Sequence, residues 1–264
     1  YTFVHPFDDD IVIAGQGTCG LEMMEQVDDL DCIVVPIGGG GLIAGTAIAA
    51  KTINPDIEII GVQAELHAGV KENLEGYDTP HDGPTLAEGI AVKSPAQRTM
   101  DIIRESVDRI ETVSEEEIED AVFTYLSSEK MVVEGAAGAG LAAVLKHKDY
   151  FRGRKVGLIV CGGNIDSRVL STLIMRGMVR EGRIARLRFE IDDTPGQLAD
   201  ISRIIGEENA NVIEVIHQRM MQAVPLKRAE LDIVVEARDS AHIEEIITRL
   251  RENGFKLSQL NEMS

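Results

Sequence analysis

The chain has 264 residues, 44% of them apolar, and carries a net charge of −19 at pH 7. That is enough for one large or two ordinary cores. The acidity serves solubility and argues against a nucleic-acid partner, which would want clustered Lys and Arg. Without a run of eighteen apolar residues, no membrane-spanning helix is expected, and no signal peptide either. Cys19, Cys32 and Cys161 show no CxxC spacing, so neither a zinc ribbon nor a disulfide framework is suggested, and a reducing, cytoplasmic compartment fits.

The first residues, YTFVHPF, read as the middle of a structure rather than a beginning. Strand-like and helix-like segments then alternate. A strand is expected at 11–14, a helix at 18–27, a buried strand at 31–35 and a helix at 42–51. The next expected pair is a strand at 58–63 and a helix at 68–74, followed by a polar loop over 76–84. Ser94-Pro95 reads as a helix start with proline in the first turn, and 107–113 as a strand. Ser114 followed by Glu117 is a capping box opening the next helix. Another helix follows Glu134, and 155–160 reads as a buried strand. This alternation predicts an open, mostly parallel α/β sheet, whose ligands bind at the carboxyl ends of its strands.

Two glycine-bearing loops fall at such ends. PIGGGGLIAG places Gly38, Gly39, Gly40 and Gly41 between the strand at 31–35 and the helix at 42–51. A flexible linker is the plainer reading of four glycines. The flanks favour another, because strand, glycines and helix aim free backbone N–H groups and a helix N-terminus at an anion. The loop is neither a Walker loop nor a dinucleotide GxGxxG. The second loop, Cys161-Gly162-Gly163-Asn164, follows the strand at 155–160.

Beyond about residue 181 the pattern changes. Residues 185–192 alternate like a half-exposed antiparallel strand, and Thr194-Pro195-Gly196-Gln197 reads as a second capping box opening a helix to about 209. Strands are expected at 212–220 and 230–237, a helix at 240–253 stopped by Gly254, and a last strand at 256–260. The order βαββαβ over about eighty residues is ferredoxin-like. The expected domains are 1–183 and 184–264, joined by a short helical linker. His217 and His242 show no ligand spacing and read as solvated.

Together the two halves resemble the threonine dehydratase (threonine ammonia-lyase) family, fold-type II pyridoxal phosphate enzymes with a C-terminal ACT domain. The likeness rests on HPFDDDIVIAGQGT, PIGGGGLIAG, TLAEGIAV, EGAAGAG and CGGNID, which stand in the family's order along nearly the whole chain. Serine dehydratase and serine racemase share much of this pattern. The resemblance implies a fold-type II sheet, incomplete at its N-terminus, in which Gly38, Gly39, Gly40, Gly41 and the adjacent Leu42 bind the phosphate of pyridoxal 5'-phosphate. It also places Cys161 opposite the pyridine nitrogen, where a neutral thiol leaves that nitrogen unprotonated; read alone, Cys161 is a small core residue.

The family's Ser-x-Lys-x-Arg motif with the Schiff-base lysine is absent, as is its Ser-x-Gly-Asn-His loop, so no catalytic residue is assigned here. The chain is expected to be the carboxyl part of such an enzyme. Glu65 matches a metal ligand of racemase-like members, but Lys71 falls where they place a second acid, and no metal is expected even with His67 nearby.

The resemblance further implies deamination of L-threonine to 2-oxobutanoate in isoleucine biosynthesis. In the ACT half, isoleucine or valine is the implied effector, held at Asp193, Thr194 and Gly196. A homodimer or homotetramer is expected. The alternatives are a serine dehydratase- or racemase-like enzyme, or a non-catalytic amino-acid-sensing module.

Overall fold

The computed structural model describes residues 3–77, 83–218 and 228–260. Its contacts divide the chain into two units, 1–169 and 170–264. In the first, the elements are α1 (Asp10–Gln26), β1 (Cys32–Pro36), α2 (Gly41–Ile53), β2 (Glu58–Ala64), α3 (Gly69–Glu75), α4 (Gln97–Ser106), β3 (Arg109–Val113), α5 (Glu115–Thr124), α6 (Gly135–Lys146), α7 (Lys148–Phe151) and β4 (Val156–Leu158). The four strands form one parallel sheet in the order β3-β2-β1-β4, with Val34 between Ile60 and Leu158. All five residues of β1 are buried, as a strand covered on both faces requires. Ile33, Val35, Ile37, Ile43, Ile59 and Ile103 are among the side chains that fill the core around it.

The expected strand at 11–14 is instead the first turn and a half of α1. Asp9 caps that helix, its carboxylate accepting from Ile11 N at 2.9 Å and Val12 N at 3.2 Å. The apolar run is therefore wound, with Ile13 buried and Ile11 83% exposed. Local capping outweighs the β preference of Ile and Val.

Ser94-Pro95 does not open α4, which starts at Gln97 behind an extended Ala96 that supplies no side-chain cap. The Asp8 carboxylate takes that role from far away in sequence, accepting from Thr99 N at 3.4 Å. The strand expected at 155–160 is regular over 156–158, flanked by Asp31 N donating to Lys155 O at 3.0 Å before it and a long bond, Ile159 N to Val34 O at 3.4 Å, after it. The box at 114–117 forms as expected: Ser114 Oγ accepts from Glu117 N at 3.2 Å and Glu117 Oε2 from Ser114 N at 2.8 Å.

α8 (Ser167–Arg180) carries the chain into the second unit, which holds β5 (Ile184–Asp192), α9 (Gln197–Glu207), β6 (Asn211–Gln218), β7 (Arg228–Glu236), α10 (Ser240–Glu252) and β8 (Lys256–Leu260). These give the expected βαββαβ order, in an antiparallel sheet arranged β6-β7-β5-β8. The last two residues of the strand expected at 212–220 lie outside the described residues. Leu187, Phe189, Ile201, Ile205, Leu231, Ile233, Ile246 and Leu250 are among those forming the core between sheet and helices.

The second capping box is not formed. Gly196, at φ +101°, is the N-cap of α9 and makes no side-chain cap, while Gln197 is the first helical residue and not the third, from which a side chain reaches back. His242, expected to be solvated, is 2% exposed; its Nε2 meets Glu208 O at 2.7 Å and its Nδ1 accepts from Arg238 N at 3.2 Å. His217 is exposed. No helix among the described residues is long and apolar enough to cross a membrane.

Candidate functional site

The tetraglycine loop leaves the carboxyl end of β1 and runs into α2. Gly40 has φ +91°, a left-handed conformation that a β-carbon disfavours. At Gly39 the reason is space: a β-carbon there would lie 2.2 Å from the Phe7 ring. The bare backbone therefore makes room for protein on the side-chain side. Phe7 packs there, and a β-carbon on Gly38 would lie 3.1 Å from Ile90 Cα and 3.3 Å from Gly89 O. The loop's carbonyls are engaged, since Thr99 Oγ1 donates to Gly39 O at 2.8 Å and Ala44 N to Gly40 O at 3.0 Å. The amides at the start of α2 have no preceding turn to donate to and form the positive end of its dipole. Gly39, Gly40 and Gly41 are buried, and Gly38 and Leu42 half-buried.

The other glycine loop, at 161–164, lies beyond β4, the strand next to β1. Glu134, the N-cap of α6, ties it to the rest of the site. Its amide donates to Gly162 O at 3.1 Å, and its carboxylate accepts from Asn164 N at 3.2 Å. The same carboxylate fills the space beside both Gly89 and Gly162, where a β-carbon would lie 3.0 Å and 2.5 Å from it.

Blocks that stand far apart in the sequence thus meet at one end of the parallel sheet. Gly38 touches the 85–92 segment, that segment touches Glu134, and Glu134 holds the 161–164 loop. A cleft of about 970 Å³ lies alongside, lined by Leu86, Glu88, Glu115, Glu134, Asn164 and Asp166 among others.

Cys161 is exposed, so it is not the core residue its size alone suggests. Surrounding protein still desolvates the thiol, and this burial, with the Glu134 carboxylate next in weight, raises its pKa. Cys161 is therefore a neutral thiol at neutral pH. Cys32, fully buried in β1, is pushed up to about 11, chiefly by burial.

Several positioning groups gave no sequence signal. Glu115 accepts from Thr85 Oγ1 at 2.6 Å and Leu86 N at 2.7 Å, so it anchors the 85–92 segment, yet in the sequence it is one of three first-turn acids. Thr99 and Phe7 belong to the loop only through tertiary contact. Glu65 is paired with the Lys146 ammonium at 3.4 Å, while Lys71 engages Gln63 through its backbone amide. His67 is buried, its Nε2 3.1 Å from Gly83 O. Among the described residues no cluster of three or more His, Cys, Asp or Glu forms a metal-binding group. In the second unit, Asp193, Thr194 and Gly196 are exposed on the loop before α9.

Residues 1–162 match the family described as pyridoxal-phosphate dependent enzyme, and residues 180–253 match the ACT domain. The chain is 42% identical over 263 residues to L-threonine ammonia-lyase of Thermotoga maritima, covering 97% of this chain and 64% of that protein. It is 41% identical over 261 residues to L-threonine ammonia-lyase of Geobacter sulfurreducens, covering 98% and 65%. Among solved structures, the threonine deaminase of T.th. is similar with a TM-score of 0.59 and 40% identity, over 63% of each chain. The chain therefore spans 64–65% of the length of these two curated relatives. Because the first match takes in more than half of the residues, this protein belongs to the family of pyridoxal-phosphate dependent enzymes, and an ACT domain follows in the same chain.

Proposed function

We propose that the protein acts as a threonine ammonia-lyase, converting L-threonine to 2-oxobutanoate and ammonia, and L-serine to pyruvate by the same route. The observation that carries this is the meeting of the tetraglycine loop, the 85–92 segment, Glu134 and the 161–164 loop at one sheet end, in a chain similar to threonine ammonia-lyases. The residues present fit pyridoxal phosphate: a glycine loop packed tight on its side-chain side leaves a helix N-terminus for the phosphate dianion. Bound there, the cofactor supplies an electron sink that acidifies the α-proton of an amino acid.

This chain's own residues bind and orient. The amides of Gly38, Gly39, Gly40, Gly41 and Leu42 would hold the phosphate. Cys161, a neutral thiol, would be the group at the ring nitrogen and would leave it unprotonated, which suits β-elimination. Glu134 fixes the loop that carries Cys161. Three of the chain's ammonium groups are committed elsewhere: Lys51 to Asp108, Lys146 to Glu65 and Glu117, and Lys155 to Asp28 O. The proton-moving lysine of the family belongs to the Ser-x-Lys-x-Arg motif, which this sequence does not contain.

For the ACT domain we propose feedback control by isoleucine or valine at the Asp193–Gly196 loop. In support, α9 starts at Gln197 behind Gly196, which supplies no side-chain cap, and the first amides of a helix have no partner within it and favour a carboxylate. The edge strands β6 and β8 present backbone groups to a second copy, consistent with a homodimer or homotetramer.

The test is to co-express the chain with a segment bearing the family's Ser-x-Lys-x-Arg motif and assay both keto acids. We expect 2-oxobutanoate from threonine, inhibited by isoleucine or valine. An assembled, cofactor-loaded complex inert on threonine and serine would overturn the proposal, and pyruvate without 2-oxobutanoate would overturn the threonine preference.

A further inference from the structure

We propose that Thr99 is a positioning residue of the phosphate cradle, whose hydroxyl, by holding the Gly39 carbonyl, aims the Gly40 amide at the anion. The inference rests on the reading of the tetraglycine loop as the phosphate site. Thr99 is fully buried in the first turn of α4. Its Oγ1 lies 2.8 Å from Gly39 O and 3.1 Å from Ala96 O, and one hydroxyl proton serves the shorter contact better.

The peptide joining Gly39 to Gly40 is trans and planar, so its carbonyl and its N–H point in opposite directions. Turning Gly39 O toward α4 therefore turns the Gly40 N–H away from it. The next peptide is set the same way: Gly40 O accepts from Ala44 N at 3.0 Å within α2, so the Gly41 N–H points out of the helix start. Two successive amides are thus aimed, one by the helix itself and one by a side chain from another element.

Thr99 also fixes the turn between them. A β-carbon at Gly40 would sit 3.0 Å from Thr99 Cβ and 2.9 Å from Ile103 Cδ1, so the left-handed residue packs against α4. Thr99 itself is held by Asp8, which accepts from its amide at 3.4 Å, while Arg98 Nη1 donates to Asp8 O at 3.0 Å. Four glycines left to themselves would sample many orientations. A buried hydroxyl selects one.

The test uses the full chain, Thr99→Val (same shape, no donor) and Thr99→Ser (donor kept). The probes are pyridoxine 5'-phosphate and pyridoxine, which differ by the phosphate and have no aldehyde to react with surface lysines. Equilibrium dialysis gives both affinities, and hydrogen–deuterium exchange reports the amides of residues 39–41. We expect Thr99→Val to bind pyridoxine 5'-phosphate about tenfold more weakly, the loss of one directed donor to a charged acceptor. Pyridoxine binding should not change, exchange at 39–41 should quicken, and Thr99→Ser should match the unaltered chain. Unchanged phosphate affinity in Thr99→Val would overturn the inference. So would equal losses for both probes in both variants, since that marks a packing role only. If the phosphate adds nothing to binding by the unaltered chain, the site reading fails and takes this inference with it.

Discussion

Asp232 lies on β7 opposite Arg188 of β5, on the sheet face away from the core of the second unit, yet it is 2% exposed. Two guanidinium groups cover it. Arg186 Nη2 and Arg188 Nε each approach its carboxylate to 2.7 Å. Their aliphatic stems exclude the water that an outward-facing acid would otherwise meet. Hydrogen bonding from Arg188, the largest influence, and from Arg186 holds the carboxyl below its ordinary value against the opposing cost of burial. A depressed pKa stabilises the fold above the unfolded-state value and loses that contribution as pH falls through the folded value. Asp232→Asn removes the charge and keeps the shape, leaving two arginines facing each other. We expect a loss of about 3 kcal/mol at pH 7 by urea unfolding of the second unit. The stability lost on acidification below the ordinary 3.8 should shrink in the variant. Equal urea midpoints at pH 7 would show that the triad adds nothing. The alternation of β5 announces which residues turn outward, but nothing in a period of two says that an outward acid will be buried by its neighbours.

The pairing of α1 with α2 shows where local sequence signals run out. The helices cross so closely that a β-carbon on Gly45 would lie 2.2 Å from Ile13 O, and one on Gly17 2.9 Å from Gly45 O. The stretch 11–14 reads as a strand because its β-branched residues are what strands contain. In the fold Gly17 is a contact point between the helices, whereas Gly15 faces open space. Only the distant partner explains Gly17. This gives a paired prediction. Gly45→Ala drives a methyl group into backbone and should cost at least about 1–3 kcal/mol. Gly15→Ala, on the facing helix α1 but with nothing within 4 Å, should stabilise by about 0.5–1 kcal/mol, because alanine loses less backbone entropy. Thermal unfolding of both variants decides it, and a neutral Gly45→Ala would show that the crossing has slack to give. The α4 start went unread for the same cause, since its cap is Asp8, far off in the chain.

The two units were legible for different reasons. In the first, strand–helix alternation gave the parallel sheet, and the rule that ligands lie at strand carboxyl ends singled out the loops at 38–41 and 161–164. Their connection through Glu134 and the 85–92 segment needed coordinates. In the second, the alternation over 185–192 and the order of the strands and helices after it gave βαββαβ, and glycine marked the stop of α10 at Gly254, φ +88°. The border between them is where sequence and structure give different places: the periodicity changes near 184, whereas the contacts divide at Val169–Leu170, inside α8.

That difference can be tested by cutting at each place. A piece starting at 184 keeps every strand of the antiparallel sheet but loses the Arg183 carbonyl that accepts from Ala237 N at 2.8 Å. It also loses Gly182, which at φ +68° packs so near Ser240 that a β-carbon would lie 2.6 Å away. With it go Leu173 and Gly177, the buried residues of α8. Burial of one leucine alone is worth about 1.5–3 kcal/mol. We therefore expect residues 170–264 to unfold cooperatively and to be more stable than 184–264 by at least about 2 kcal/mol in urea, part of that coming from the lost backbone bond. Equal stabilities would assign α8 to a connector and restore the border near 184. A piece 170–264 without a cooperative transition would deny the second unit its own core, despite the side chains from Ala185 to Leu250 that build it.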